Sequence, residues 1–424
     1  MAKMKLPYGR KMIDIEIDDK NLACVLESKA GKYKTELSQE EIVEKALDNP
    51  IGSPKLEELV QGKKNMVIIS SDHTRPVPSK IIMPILLRRI RKVNPQIDIK
   101  ILIATGFHRA STREELIDKF GEEIVKNENI IVHDSRDEKS LVKIGTLPSG
   151  GELIINKVAV ETELLIAEGF IESHFFAGFS GGRKSILPGI ASAKTVMANH
   201  CSEFIASPYS RTGILKGNPI HKDMLYAAEK ANLAFIINVV IDSDKKIINA
   251  FAGHSKLAHE DGCKFVMDLS KVNKVDADIV VSTNGGYPLD QNIYQSVKGM
   301  TAAEATCRDG GVIIMVAACN DGHGGEGFYN NLANVKTPKE YLENVLKVPR
   351  NETSPDQWES QILARILDKH TVIMVTDMCS PEIIKNIHMK HAYTFDEALN
   401  MAYDIVGRDA KVAVIPDGVA VIVN

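Results

Sequence analysis

Short runs of β-branched and other apolar residues recur along this chain, and segments with helical hydrophobic periodicity lie between them. This alternation restricts the fold more than any other feature, because strands that alternate with helices build α/β folds with largely parallel sheets. The segment 79–93, for example, repeats isoleucine and leucine at helical spacing. We therefore predict an α/β protein with largely parallel sheets flanked by helices. The runs that we interpret as strands are 66–71, 99–104, 130–133, 164–167, 235–241, 279–282, 312–316, 372–375 and 412–415.

The length of 424 residues exceeds what one hydrophobic core normally holds, since domains average about 150 residues. We predict two domains, an N-terminal one at 1–272 and a C-terminal one at 273–424. The boundary follows a helix predicted at 255–269 and precedes the strand that begins at 279. We also expect the last strand to pack back on the first domain, and the active site to lie in the cleft between the domains.

The composition is that of an ordinary globular protein, with 44% hydrophobic residues, 25% charged residues and a formal net charge of -4. This balance argues against a nucleic-acid-binding protein. No apolar run approaches the roughly 18 residues of a membrane span, and the N-terminus lacks the apolar core of a signal peptide. We therefore expect a cytoplasmic protein with no membrane partner. The six cysteines are scattered without a CxxC pair, as is typical of reduced thiols.

The run 172–185 concentrates three glycines, a histidine and two adjacent cations, Arg183 and Lys184. Glycine permits positive φ and a close approach of the backbone to a ligand, and the two cations suit an anion. A P-loop is excluded, because Arg183 stands where the second glycine of that motif belongs. The loop alone is equally compatible with a basic surface turn. It follows the predicted strand at 164–167, however, and open α/β sheets bind ligands beyond their strand ends.

Polar residues also follow other predicted strands. Asp72 and Arg75 come after the first of them, and His108 comes after the second. Each could serve only to form its turn, but their recurrence favours an active site at that edge of the sheet. A capping box of Ser111 and Glu114 is predicted to begin the helix that follows.

A polar stripe is predicted on the helix after Pro288. Gln291, Tyr294, Gln295 and Lys298 fall at helical spacing, so their side chains face the same way. The stripe is either an ordinary solvent-exposed face or, if it lines the cleft, a receptor for a carboxylate.

Four histidines are candidate functional residues: His108, His174, His200 and, on weaker grounds, His133. Imidazole is both the commonest metal ligand and the commonest general base. Spacing alone does not distinguish the two roles, and the metalloprotease motifs HExxH and HxxEH are absent.

Several longer motifs resemble those of the lactate racemase family, the enzymes that use a nickel-pincer nucleotide. The resemblance extends over essentially the whole chain, and it identifies the chain as a member of that family. The motifs are SDHTRPVP at 71–78, ATGFHR at 104–109, GFIESHFFAGFSGGRK at 169–184, ANH at 198–200, NGGYPLDQNIYQ at 284–295 and DGHGG at 321–325.

The resemblance implies a covalent cofactor. Lys184 matches the lysine that carries pyridinium-3,5-bisthiocarboxylic acid mononucleotide through a thioamide, and His200 matches the histidine that binds nickel together with carbon and sulfur of the pincer. The glycine loop would then cradle the cofactor, with further contacts from residues near it. The residues implied for cofactor binding besides Lys184 are Asp72, Arg75, Gly178, Gly181 and Gly182.

The resemblance also implies the catalytic groups. His108 and His174 match a pair of acid/base residues, and the reaction would pass hydride from C2 of lactate to the cofactor and back through a transient pyruvate. The partners implied are a small 2-hydroxy acid and, transiently, the proteins that make the cofactor. The residues implied for substrate binding are Arg75, Tyr294, Gln295, Lys298 and Trp358.

Other functions stay open at this point. Relatives act on other 2-hydroxy acids, so the substrate could differ from lactate. A zinc hydrolase would need nitrogens of His108, His174 and His200 around one metal with an open water site. A phosphate-binding module would use the glycine loop alone, and a nicotinamide-dependent dehydrogenase is disfavoured because no GxGxxG follows an early strand.

Overall fold

The computed structural model describes residues 1–424 of the chain. Its strands are β1 (Ala2–Tyr8), β2 (Lys11–Ile17), β3 (Leu22–Val25), β4 (Asn65–Ser71), β5 (Asp98–Ala104), β6 (Asn129–Val132), β7 (Leu141–Thr146), β8 (Glu152–Asn156), β9 (Leu165–Phe170), β10 (Ser173–His174), β11 (Gly178–Phe179), β12 (Leu233–Ile241), β13 (Ile247–Gly253), β14 (Lys271–Val272), β15 (Ala277–Thr283), β16 (Cys307–Val316), β17 (Thr371–Val375), β18 (Lys390–Ala392), β19 (Val412–Ile415) and β20 (Ile422–Val423).

The α-helices are α1 (Gln39–Asp48), α2 (Leu56–Val60), α3 (Ser79–Val93), α4 (Arg113–Phe120), α5 (Glu122–Asn127), α6 (Lys157–Val160), α7 (Ala193–Asn199), α8 (Ser202–Ala206), α9 (Pro219–Lys230), α10 (Leu257–Ser270), α11 (Ile293–Glu304), α12 (Glu326–Ala333), α13 (Pro338–Val345), α14 (Gln357–Lys369), α15 (Pro381–Asn386) and α16 (Phe395–Val406).

Two six-stranded sheets organise the molecule. The first has the order β13-β12-β9-β4-β5-β6, and the second has the order β18-β17-β16-β15-β19-β3. Every pair is parallel except β12 with β13. Their central strands are buried along nearly their whole length, which is why they are continuous apolar runs in the sequence. The predicted α/β fold with largely parallel sheets flanked by helices is confirmed.

The two ends of the chain complicate a simple linear division. Strand β3, near the N-terminus, pairs with β19 in the second sheet. At the other end β20 pairs with β14, and Ile422 packs with Ile171 and Phe179 from the first half of the chain. The division at residue 272 stays a prediction, and the early strand in the second sheet was not foreseen.

Two local predictions are wrong by a small shift. The capping box of α4 is made by Thr112 and Glu115 rather than by Ser111 and Glu114, because Thr112 is the last residue with extended backbone before the helix. The Ser111 hydroxyl lies 3.2 Å from His73 Nδ1 instead. Gln291 precedes Asn292, which caps α11, so it does not share the helical stripe of the three residues that follow.

No α-helix of the protein has both the length and the apolar character needed to cross a membrane.

Candidate active site

A cavity of about 250 Å³ lies beyond the carboxyl ends of β4, β5 and β9 and is closed on the other side by α11 and α14. It therefore takes residues from both halves of the chain. Nearly all of the site residues predicted from the sequence line it. They are Asp72, Arg75, His108, His174, Gly181, Gly182, Lys184, His200, Tyr294, Gln295, Lys298 and Trp358.

Two predicted residues, Gly178 and His133, do not reach this cavity. Gly178 pairs with His174 in the β10–β11 hairpin, so it shapes the strand that carries the histidine. The buried His133 contacts the carbonyl of Ala191 at 3.0 Å through Nε2, and its other nitrogen lies 3.2 Å from the amide of Asn156. It is a satisfied core residue, and its candidacy for catalysis is not supported.

Arg183 corrects the expectation that two adjacent cations serve the ligand. Its guanidinium is 1% exposed. It donates to the carbonyls of Phe179 and Ala177, at 2.7 and 2.8 Å, and Nε donates to His221 Nδ1 at 3.0 Å. The side chain thus stabilises the glycine loop from behind, and only Lys184 of the pair lines the cavity.

The loop itself requires glycine at position 181. Gly181 has φ +74, and a Cβ atom there would lie 2.8 Å from both the Phe170 carbonyl oxygen and Asn238 Oδ1. The same Asn238 oxygen accepts a hydrogen bond from the Gly182 amide at 2.7 Å. The loop therefore packs tightly against β9 and β12. This packing fixes the backbone position from which the Lys184 side chain extends into the cavity.

Lys184 is a desolvated amine. Its Nζ lies 5.9 Å from the centroid of the Phe176 ring and forms no ion pair. Burial, together with Arg183 and Arg75, lowers the pKa of Lys184 well below its ordinary value, and Glu172 opposes the shift only in part. An amine that is readily neutral can act as a nucleophile or form a covalent link at physiological pH.

His108 is oriented by a buried carboxylate. Its Nδ1 lies 2.7 Å from Asp72 Oδ2, and the other carboxylate oxygen accepts a 2.6 Å bond from the Thr74 hydroxyl. Burial favours the neutral acid, yet the bonds from His108 and Thr74 lower the pKa of Asp72 overall. The carboxylate therefore stays charged and holds Nδ1–H, which leaves Nε2 as the nitrogen that exchanges a proton. The His108 side chain is 45% exposed.

His174 sits in a more apolar place. Its ring stacks on Phe175 with centroids 5.0 Å apart, and Phe176 meets its edge at 4.5 Å. The backbone amide of Ala177 points at Nδ1 from 3.3 Å. Burial and the cations Lys184, Lys298 and Arg75 hold the pKa of His174 well below its ordinary value, so it is neutral before any ligand arrives.

His200 has the environment of a metal ligand. It ends α7, and its Nδ1 donates to the Val196 carbonyl at 3.1 Å, so Nε2 keeps a free lone pair. Burial and Lys184 lower the pKa of His200 to about 3. The ring lies between Phe176 and Trp358, each with its centroid 5.2 Å away. A neutral imidazole with a fixed tautomer is what a transition metal requires.

The wall from the second half of the chain is cationic and aromatic. Tyr294, Gln295 and Lys298 come from α11, and Trp358 comes from the first turn of α14. Lys298 Nζ donates to Gln295 Oε1 at 2.6 Å and has no carboxylate within ion-pairing distance. The predicted stripe thus faces the cavity without Gln291, and it presents a charged donor that can receive a carboxylate.

Three acids that sequence reasoning missed also line the cavity: Glu168, Glu172 and Glu359. Glu168 was detectable as the single charged residue inside the apolar run of β9, where two serine hydroxyls, Ser70 and Ser79, now bond it. Glu359 was detectable as an acid on the inward face of a helix. Glu172 gives no such signal, since acids are common in turns.

The protein side chains do not form a metal centre by themselves. No group of three or more histidine, cysteine, aspartate or glutamate side chains is arranged to hold an ion. The zinc hydrolase considered above needs three such ligands around one metal, so its required cluster is not formed. A single free imidazole nitrogen at His200 beside a neutral Lys184 fits a metal whose other ligands come from a lysine-linked cofactor.

The fold and the cavity define a two-domain α/β enzyme in which a glycine loop and histidines face a cationic, aromatic wall. Comparison with known proteins narrows this class. The profile of the lactate racemase N-terminal domain matches residues 8–213, and that of the lactate racemase C-terminal domain matches residues 272–423. The chain belongs to the lactate racemase family.

Individual relatives agree with this assignment. Lactate racemases from Lactiplantibacillus plantarum and Thermoanaerobacterium thermosaccharolyticum are 64% and 61% identical to the chain over 424 residues, with 100% of each chain covered. The solved lactate racemase apoprotein from the latter organism has a TM-score of 0.97 at 60% identity, with 100% of both chains covered. A Thermotoga maritima structure with a TM-score of 0.67 and 19% identity, covering 92% of this chain and 100% of its own, shares the fold alone.

Proposed function

We propose that this protein interconverts L- and D-lactate. The observation that carries the proposal is the single cavity in which His108, His174, Lys184 and His200 meet the cationic wall around Lys298. Full-length identity of 64% to a lactate racemase supports the substrate. Loading of the enzyme would depend on transient contact with proteins that make its cofactor.

The cofactor that we propose is a nickel-pincer pyridinium mononucleotide, held covalently by Lys184 and through its nickel by His200. The neutral amine of Lys184 and the free Nε2 of His200 suit these two roles. When bound, the cofactor would supply an electrophilic acceptor for the hydrogen on C2 of the substrate. Asp72, Arg75 and the loop at Gly181 and Gly182 are the remaining residues that we assign to its binding.

We propose that Arg75 and Lys298 hold the substrate carboxylate, with Gln295, Tyr294 and Trp358 closing the site. Both cations line the cavity, and the amide oxygen of Gln295 fixes the Lys298 ammonium at 2.6 Å. The aromatic side chains exclude water, which strengthens the attraction between the ammonium and the carboxylate.

Two histidines are needed because the two enantiomers direct their hydroxyl groups differently. We propose that one imidazole takes the hydroxyl proton of one enantiomer as the C2 hydrogen leaves, and that the other returns a proton to form the mirror image. Both histidines can accept a proton, since Asp72 stabilises the charged form of His108 and His174 starts out neutral. Positioned bases of this kind contribute about 10²–10⁴-fold to a rate.

Racemisation of lactate that carries deuterium on C2 tests this function. In ordinary water we expect the label to be retained in both enantiomers, because an electrophilic cofactor would take the C2 hydrogen as hydride, which does not exchange with water as a proton on a histidine nitrogen does. A primary isotope effect is expected if this transfer limits the rate. Extensive loss of deuterium at low conversion would contradict the mechanism, and absence of racemisation by cofactor-loaded protein would contradict the function.

A further inference from the structure

Glu359 is an acid that the mechanism above does not use. It is 1% exposed, it lines the cavity on the first turn of α14, and its Oε1 is buried without a hydrogen-bond partner. Neither carboxylate oxygen accepts a hydrogen bond. In this turn the residue donates one hydrogen bond, from its backbone amide to the Asp356 carbonyl oxygen. A desolvated carboxylate without such bonds is unfavourable in its charged form, so a nearby cation is needed to keep it ionised.

Lys298, on the adjacent helix α11 that packs against α14, is a cation that acts on Glu359, although the two side chains form no direct ion pair. The other charged or titratable groups around the pair are Arg75, Glu172, Asp356, Tyr294 and His174. Burial raises the pKa of Glu359 to about 8, and Lys298 opposes the rise. Burial and Arg75 lower the pKa of Lys298, which Glu359 opposes in turn. The two groups therefore titrate as a pair.

The remaining acids of the cavity differ from Glu359 in hydrogen bonding or in exposure. Asp72 is bonded to His108 and Thr74, and Glu168 is bonded to two serine hydroxyls. Glu172 also interacts with Lys298, but its side chain is exposed to solvent. Glu359 is thus the buried acid of this cavity that combines a fully unbonded side chain with a position beside the cation assigned to the substrate.

We propose that the ionised form of Glu359 is the counter-charge of Lys298 before substrate binds, and that it takes up one proton from solvent when the substrate carboxylate arrives. The substrate carboxylate replaces the Glu359 carboxylate as the partner of the Lys298 ammonium. The site thus gains one negative charge from the substrate and loses one when a proton neutralises Glu359. The net charge of the buried site is unchanged, which avoids the cost of desolvating an extra charge. Glu359 acts through Lys298 and is a positioning residue. This inference rests on the proposed function, because it takes a 2-hydroxy carboxylate as the ligand.

Infrared difference spectroscopy of the cofactor-loaded enzyme tests the proposal directly. Equimolar D- and L-lactate is added, so that turnover causes no net reaction, at a pH about one unit above the pKa of Glu359. We expect the carbonyl band of a protonated carboxylic acid to appear, at an intensity of about one group per site. Glu359→Gln keeps the shape of the side chain and should abolish that band.

Glu343→Gln is the matched control, since it makes the same change at an exposed position on α13, which packs against α14. It should keep the band. Lactate binding without the band in the natural sequence, or the same band in Glu359→Gln, would overturn the proposal while leaving the proposed function intact. Failure to bind or racemise lactate at all would overturn the proposed function and this inference with it.

Discussion

At the scale of single residues, the pair of Asp72 and His108 shows how a buried charge is kept. The carboxylate is 2% exposed, yet it remains ionised because a histidine and a threonine satisfy it. An aspartate in this position does for His108 what the third member of a catalytic triad does for its histidine, namely fix the tautomer and stabilise the protonated ring.

Replacing this aspartate by asparagine separates charge from shape. Asp72→Asn should lower kcat for both enantiomers by about 100-fold or more, because the protonated form of His108 loses its stabilising charge. The KM for lactate should change less. Racemisation rates measured from each enantiomer check this. As a control, Asp118→Asn alters a carboxylate that is 93% exposed and should leave the rates unchanged. Unchanged rates in Asp72→Asn would contradict a role of the Asp72 charge in supporting His108.

The role of His200 can be tested by metal content. His200→Ala, produced in a host that makes the cofactor, should retain on the order of 10-fold less nickel after gel filtration. The fold should persist, because the Nδ1 bond to Val196 is the only hydrogen bond of this side chain. His254→Ala removes an exposed histidine and should keep full nickel content. Equal nickel in both variants would contradict ligation by His200.

At the scale of elements, the glycine loop depends on close packing rather than on flexibility. Gly181→Ala should destabilise the protein in two ways: about 1–2 kcal/mol for positive φ, and about 1–3 kcal/mol for crowding against β9 and β12. Gly62→Ala is the matched control, since Gly62 has φ +72 and open space around its Cβ position. The free energy of unfolding in urea is measured for both variants. The difference between their losses of stability gives the contribution of crowding at position 181. Equal losses of stability would mean that the loop is not tightly packed.

The elements also show what a sequence can and cannot predict. Strands such as β19 and helices such as α3 have the predicted bounds, because their apolar periodicity reports their burial. The cavity residues were predicted through strand-end position and family motifs. Arg183 was misjudged because a charge in a loop gives no sign of which way it points. Glu359 was missed although it lies on the inward face of α14. Its relation to Lys298 could not be predicted, because that residue lies on a helix that is distant in sequence.

At the scale of the whole molecule, buried neutral histidines make stability depend on pH. The pKa values of His174, His200, His221 and His259 are all lowered, chiefly by burial. The unfolded chain therefore binds more protons than the folded one below about pH 6.5. The stability that these neutral histidines contribute is fully present above that pH and is lost as the pH falls below it.

We expect the free energy of unfolding in urea to fall by about 1 kcal/mol for each of these histidines between pH 6.5 and about pH 5.5. The acids with depressed pKa values, Glu115 and Glu152 at about 2, lose their contribution only at lower pH, so the two effects are separable. His254→Gln should leave the slope unchanged. A free energy that stays constant across this interval would contradict the assignment of neutral histidines.

The pairing of β3 with β19 has a consequence for synthesis on the ribosome. Leu22 and Val25 are made before their neighbours Val412 and Val414, which follow about 390 residues later in the chain. At about 5–20 residues per second, the early strand waits on the order of half a minute with an unpaired edge. Its short length of four residues limits what such an edge can capture. The second sheet is complete only after β19 has been made, so termination before that strand leaves β3 without its neighbour.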